Sequence, residues 1–539
     1  MKMLSAKKLC VRMIMMVLLL LIVPWHVHAE ETQLTEEIMM EIQHRLEQSF
    51  NEGLPQADLT DLDIVVNMYT DRFSEQYQKI LDMYDAFAKE YGVFVLGSHK
   101  EPYLSLSSEV EPMEGCNEYG VGPNQLTAIT LTYDQYYRMP DGSADLALLA
   151  ETQETLNKEY DYAMSMVSDE MTDVEKALVL YDYIISVSNY PDEESIDENG
   201  IAVYDNESYS TLSVFRDHVS VCSANATAYC YLLSDCGIPC IRLNSDAMNH
   251  AWTMLKVDGD WYHADPTWDN PRYMYGYTSL GDPNNDIWDL GAASHIYFLK
   301  SDEEMIRDLD HYEWFVMMGF TPEISPGEAP ASGPSNHFAD TFFGENSPWP
   351  SDTHYNYVNG NWYFLDRYAN QIVKTSYGQD VNEAEYIDAQ GEGFMKYVFS
   401  ANDQLFICES DGIWRYDTNS KQTEKLPLKE SSSDQALFTE MNISSGRLNG
   451  VFYENALEDS VPQTFSYPLE ELPAMEIIPA TPEPTPSATE TAEPQETNTP
   501  QPIEEPGKSK GTLSSILLVL AAVFVIAGAI SYIRKKNAA

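Results

Sequence analysis

Basic residues are scarce in this chain of 539: 31 lysines and arginines stand against 86 aspartates and glutamates, a formal charge of −55. An excess of that size repels polyanions and keeps a protein in solution, which argues against nucleic acid as a ligand. Lysines and arginines form no run away from the two ends, so a peripheral basic patch for anionic lipid is not supported either. Cysteine is also sparse, seven in all. Cys10 lies in an N-terminal apolar segment, and Cys116, Cys222, Cys230, Cys236, Cys240 and Cys408 follow. Cys10 would leave with the signal peptide described below, so if Cys222 stays a thiol five are left, an odd number that excludes a full disulfide framework. The histidines and cysteines lack zinc-site spacing and the acidic residues form no calcium loop, so no metal and no cofactor is expected. A wall-sorting motif of the leucine-proline-x-threonine-glycine kind is missing as well.

What is present is apolar surface. Hydrophobic residues make up 44% of the chain and aromatics 12%, enough to offset the entropy of ordering it, and its length exceeds what one core holds. Several folded domains are therefore expected. Residues 1–29 have the layout of a signal peptide: Lys2, Lys7, Lys8 and Arg12, the apolar run Met13 to Val23, then Pro24 and the small-residue site ending at Ala29. Leu513 to Ile533 is uncharged, apolar and 21 residues long, followed directly by Arg534, Lys535 and Lys536. That is enough to span a bilayer and stop there. Together they predict a single-pass cell-membrane protein, of the layout found on Gram-positive-type surfaces. The bulk of its chain would be extracellular and 534–539 would form a cytoplasmic tail. Between Pro479 and Pro506 eight prolines stand among threonines and glutamates, a composition that extends and buries nothing, so 473–510 reads as a stalk.

Helical periodicity at Thr35 to Phe50, Asp71 to Tyr91 and Ala144 to Met166, with strand-like runs at Val93 to Leu96 and Leu126 to Tyr133, gives 30–165 a mixed character. Residues 166–315 hold the chemistry. The proline- and glycine-rich 316–336 reads as a linker. Residues 337–472 are β-rich, with short aromatic and β-branched runs between the turn pairs Asn359-Gly360, Asp411-Gly412 and Asn449-Gly450. Runs beginning at Asn361, Gln404 and Asn449 align at offsets of 43 and 45 residues. That is a propeller-blade period, though a sandwich or a small antiparallel sheet fits equally.

Val221 to Pro239 predicts a helix that opens at or just before Cys222 and ends at Gly237 and Pro239. A cysteine in the first turn meets unpaired N–H groups and the positive end of the helix dipole, which favour thiolate. Downstream, Asp258-Gly259 is a two-residue hairpin signal. Opposed residues then sum to 517, which sets Trp252 opposite Asp265 and His250 one diagonal step from Asp265 on the same face. His263 shares that face and competes as the base. A base oriented by a carboxylate beside an activated thiol is the equipment of nucleophilic acyl transfer.

Lys176 to Pro271 resembles the transglutaminase-like superfamily, which shares the papain-type catalytic core. The resemblance is carried by KALVLYDYIISVSNYPDE, by YSTLSVF before the cysteine, by GIPC after its helix and by NHAWTMLKVDGDWYHADPTWDNP, with YFLKSDEEM at Tyr297 to Met305. It implies an α+β fold with the cysteine-bearing helix packed on an antiparallel sheet. It also implies Cys222 as nucleophile, His250 in preference to His263 as base and acid, and Asp265 as the residue orienting His250. Tyr190 is a candidate oxyanion donor beside the N–H of Cys222. The chain departs from the pattern at Ala224-Asn225, where a glycine and an aromatic commonly sit, and at Ser220, where glycine is frequent. The expected activity is that of a cysteine protease, peptidase or acyltransferase acting on carboxamide or peptide bonds of a protein or peptide substrate, in reach of a cell wall. The rival reading is an inactive surface adhesion or scaffold protein that binds through its β-rich region.

Overall fold

The computed structural model describes residues 30–69, 73–191, 195–196, 202–270, 293–322, 324–389, 391, 393–427, 436–454 and 461–475. The expected signal peptide, membrane helix and tail, and all but the first residues of the stalk, lie outside them. Among the described residues no helix is long and apolar enough to cross a membrane.

The helices begin where capping chemistry starts them. Thr35 and Ser74 accept hydrogen bonds from the first turns of Glu36–Asn51 and Glu75–Tyr91. Both helices lay Ile42, Leu46, Ile80, Tyr84 and Phe87 on a four-stranded antiparallel sheet, whose long strands Leu104–Pro112 and Gly122–Tyr133 supply Leu104, Leu126, Ile129 and Leu131 to the same core. The next helix, Leu146–Ser165, does not join them. Its Leu149, Leu156, Tyr160 and Ala163 pack into the central core, so the chemistry-bearing unit begins before residue 166.

That core is built around two helices apolar on nearly every face, the sequence signature of full burial. Helix α1, Asp173–Val187, starts in a capping box of Thr172 and Glu175. Helix α2, Cys222–Asp235, ends at Gly237, whose positive φ of 77° lets Ile238 N–H return to the carbonyl of Leu233. Behind α2 lies a five-stranded antiparallel sheet. Its strands are β1 (Cys240–Ser245), β2 (His250–Val257), β3 (Asp260–Ala264), β4 (Phe298–Lys300) and β5 (Phe315–Gly319), in the order β4-β3-β2-β1-β5. The stretch 316–336 does not behave as a free linker. Its first residues complete β5, Gly333 N–H binds the carbonyl of Trp261, and the Ser332 hydroxyl accepts from Asp302 N–H. Proline and glycine content alone misses this because backbone pairing to a neighbouring edge needs no apolar run.

The described residues beyond 337 form three consecutive antiparallel meanders of four, four and three strands. Asn361 and Gln404 each open the second strand of their meander and Asn449 lies in the second strand of the third, so the aligned runs are equivalent. Asn449-Gly450, read as a turn, sits inside that strand, and the turn falls at Ser445-Gly446. Gly450 is needed there for closeness: a Cβ would lie 2.4 Å from the Glu440 carbonyl oxygen and from the Phe465 ring.

The first meander does not close a core of its own. Trp362 and Phe364 share the central cluster with Leu178 and Tyr181, and the Trp362 indole donates to Glu175 Oε1 at 2.9 Å. Trp362→Ala should therefore cost about 3–5 kcal/mol by denaturant unfolding. A loss under about 1 kcal/mol would mean that the meanders are independent of the helical core.

Candidate active site

Cys222 is the first residue of α2, and the preceding Val221 offers no side-chain cap; the N–H groups of Ala224 and Asn225 return to the Val221 carbonyl, and the positive end of the helix dipole lies at the turn that carries the sulfur. His250 opens β2, entered through Asn249 in the left-handed region. The hairpin beyond it turns at Asp258-Gly259 with positive φ at both residues, and Val257↔Asp260 through Thr253↔Ala264 pair with the sum 517. This register carries Asp265, just past β3, to His250: Nε2 and Oδ2 are 2.6 Å apart. With Nε2 engaged, Nδ1 is the ring nitrogen left for the sulfur of Cys222.

The electrostatics follow from that contact. Burial alone would lower the proton affinity of His250, but the charge and hydrogen bond of Asp265, together with the Cys222 sulfur, push it up to about 10. Burial would raise the Cys222 thiol. The hydrogen bond and charge of His250 and the N–H of Ala251 outweigh it, and the thiol ends below its ordinary value. Burial would raise Asp265 too, yet His250 and His311 hold its carboxyl below the usual carboxylate range. These directions favour a thiolate–imidazolium pair over a neutral thiol and imidazole. Two indoles cover it, with ring centroids of Trp252 and Trp268 5.7 and 5.2 Å from that of His250.

Of the residues singled out from sequence, Cys222, His250 and Asp265 come together. His263 does not join them: it is buried, its Nδ1 accepts from the Trp252 indole at 3.0 Å and its Nε2 faces Asp302 at 2.8 Å. That leaves it one proton and no path to the sulfur. Tyr190 lies partly exposed, packed edge-on against Tyr204 at 5.3 Å between centroids.

Three residues of the site were missed. Asn225, one turn along α2 from Cys222, has its Oδ1 2.7 and 2.8 Å from the hydroxyls of Ser220 and Ser188, and its amide donates to Thr267 Oγ1 at 3.2 Å. The two departures from the family pattern, Ser220 and Asn225, are thus partners, and they tie the nucleophile's helix to the Asp265 turn. Asp269 accepts from the Tyr181 hydroxyl at 2.6 Å and from the N–H groups of Ile296 and Tyr297, each at 2.9 Å. Burial pushes its carboxyl up to about 6 against the opposing pull of His295 and Tyr181. Its spacing of four from Asp265 was a readable signal. His311 binds Asp265 Oδ2 at 3.1 Å, and nothing in its local sequence announces it.

His250, Asp265 and His311 bring ligand-type atoms within 4.8 Å of one another, close enough to chelate an ion. All three are buried, and the separations of 2.6 and 3.1 Å are those of hydrogen bonds among themselves. The arrangement satisfies itself without a cation.

Fold and site together define a mixed α/β unit with a transglutaminase-like core, whose cysteine, histidine and aspartate are arranged for thiol chemistry, followed by a sheet-rich region. Residues 160–266 match the model of the transglutaminase-like superfamily, and that segment is a domain of this kind. No curated protein matches the chain. Among solved structures it is similar to one titled a TGase, at 12% identity over 37% of this chain and 49% of that one, with a TM-score of 0.18. The chain thus spans about half the length of that TGase. It is also similar to the N-terminal domain of Nup159 (13% identity, 41% and 44% covered, TM-score 0.14) and to YCF48 from Cyanidioschyzon merolae (10% identity, 41% and 67% covered, TM-score 0.19). Alignments this loose carry no argument about function.

Proposed function

We propose that the protein is an extracellular cysteine enzyme of the transglutaminase-like type, held at the cell surface by its C-terminal apolar segment and acting on carboxamide or peptide bonds of protein or peptide substrates. One observation supports the chemistry above others: a buried imidazole fixed by a carboxylate at 2.6 Å beside a thiol whose proton affinity it lowers. The Cys222 thiolate attacks the carbonyl carbon, and His250 delivers its proton to the leaving nitrogen as the C–N bond breaks, leaving a thioester. His250 then takes a proton from water or an incoming amine, which attacks the thioester and releases the thiolate. The N–H of Cys222, at the start of α2, would meet the developing oxyanion. The surface location rests on the sequence layout at the two ends.

The test is a screen of peptide hydrolysis and of amine incorporation by the full chain, with Cys222→Ala beside wild type. Turnover is expected, and the substitution should lower it by at least about 10³-fold. Activity that survives Cys222→Ala would refute the reading. Absence of turnover in wild type, together with an unreactive Cys222, would leave the binding-scaffold reading in its place.

A further inference from the structure

Asp265 is fully buried and its oxygens meet four donors. Oδ1 accepts from the N–H groups of Thr267 at 2.9 Å and Trp268 at 3.2 Å, and Oδ2 is shared by His250 Nε2 and His311 Nε2. His311 is itself fully buried, and its other nitrogen, Nδ1, lies 2.8 Å from the carbonyl oxygen of Leu309. Both of its ring nitrogens therefore face atoms that can only accept, provided Asp265 is ionised. A neutral ring carries one hydrogen and would turn a lone pair on one of these oxygens, at the full cost of an unsatisfied buried group. His263, nearby, shows the contrast: one of its nitrogens faces a donor, the Trp252 indole, and the other an acceptor, so a single proton satisfies it.

The position of His311 is locally determined. Helix Asp302–Arg307 starts in a capping box of Ser301 and Glu304, His311 N–H returns to the carbonyl of Met305, and Asp310 in the left-handed region turns the chain inward. The rings of Trp268, Trp252 and Tyr297 enclose the imidazole at 4.5, 4.8 and 5.3 Å between centroids. The titratable groups around it are Asp265 and His250 from the hairpin, His263 on β3, Tyr297 and the adjacent Asp310.

We propose that His311 is a positioning residue of this site, a doubly protonated second imidazole that shares the Oδ2 of Asp265 with His250. Its consequence for catalysis rests on the reading of Cys222 as nucleophile; its protonation does not. With thiolate, two imidazolium rings and one carboxylate, the buried site is neutral. Without the charge on His311 it would carry a net negative charge, which in a water-poor interior disfavours the thiolate and tightens the hold of His250 on its proton.

Two measurements on the full chain test this. Histidine-selective ¹⁵N NMR at neutral pH should show both ring nitrogens of His311 protonated, and one of those of His263. A singly protonated His311 ring overturns the proposal. The pH profile of Cys222 alkylation by iodoacetamide should move to higher pH by about one unit or more in His311→Gln, which keeps a donor to Asp265 but no charge. His311→Phe should show the same displacement and a further fall in the maximal rate, as Asp265 loses a partner. A profile unmoved in His311→Gln overturns the proposal, because a packing role predicts no such displacement. An unreactive wild-type Cys222 would sink the catalytic reading and not the protonation result, so the two failures are distinguishable.

Discussion

At pH 6, iodoacetamide should modify Cys222 about 30–100-fold faster in wild type than in His250→Ala. The imidazolium and its hydrogen bond lower the thiol against the opposing effect of burial. In the variant only the N–H of Ala251 opposes burial and the negative charge of Asp265, and the thiol rises. An unperturbed thiol near pKa ~8.5 is thiolate to about 0.3% at pH 6. A largely ionised one gains from population and loses part of that gain because a weaker base is a weaker nucleophile. Wild-type reactivity should persist well below the ordinary thiol range and change again as His250 loses its proton near about 10. Peptide mapping of the alkylated chain separates the sites, and Cys236 is an internal reference, since burial pushes its thiol up to about 11. Equal rates in wild type and variant would mean that the imidazole does not act on the sulfur.

Asp265→Ala should lower turnover by about 10³–10⁴-fold and stability by about 3–5 kcal/mol. The catalytic loss comes from freeing the His250 ring, which then holds neither its orientation nor its proton. The stability loss comes from two buried imidazoles stripped of their common acceptor. The pH dependence separates these effects from simple misfolding. Asp265 sits below its ordinary range, so its contribution is present above about pH 4 and fades as pH falls from there. His250 sits above its ordinary value, so its contribution is full below about pH 6.5 and fades as pH rises through about 10. The difference in unfolding free energy between wild type and Asp265→Ala should therefore be largest between about pH 4 and 6.5 and shrink on both sides. A difference that does not vary with pH would contradict the charged arrangement.

The site was legible where its geometry is local. A two-residue turn at Asp258-Gly259 fixes the hairpin's parity, and parity alone puts His250 and Asp265 on one face; a helix that starts at Cys222 needs only its end signals at Gly237 and Pro239. His311 was not legible. It reaches Asp265 across 46 residues of chain, through a helix, a left-handed turn and the packing of three aromatic rings. Asn225 read as a departure from the family pattern because its partners, Ser188, Ser220 and Thr267, come from three separate segments. The same distinction applies to the fold. Helix spans and the equivalence of the three meanders were visible in periodicity and spacing. The docking of Trp362 on Glu175 and the pairing of 316–319 with β1 depend on contacts between distant elements, which no window of sequence contains.

Whether sulfur and imidazole exist as an ion pair is decided by titrating the ultraviolet absorbance of thiolate in the full chain, with Cys222→Ser subtracted to isolate this sulfur. A thiolate signal already present at pH 6 in wild type, and shifted to alkaline pH in His250→Ala, is the predicted result. A Cys222 that titrates at or above the ordinary thiol value in both proteins would contradict it.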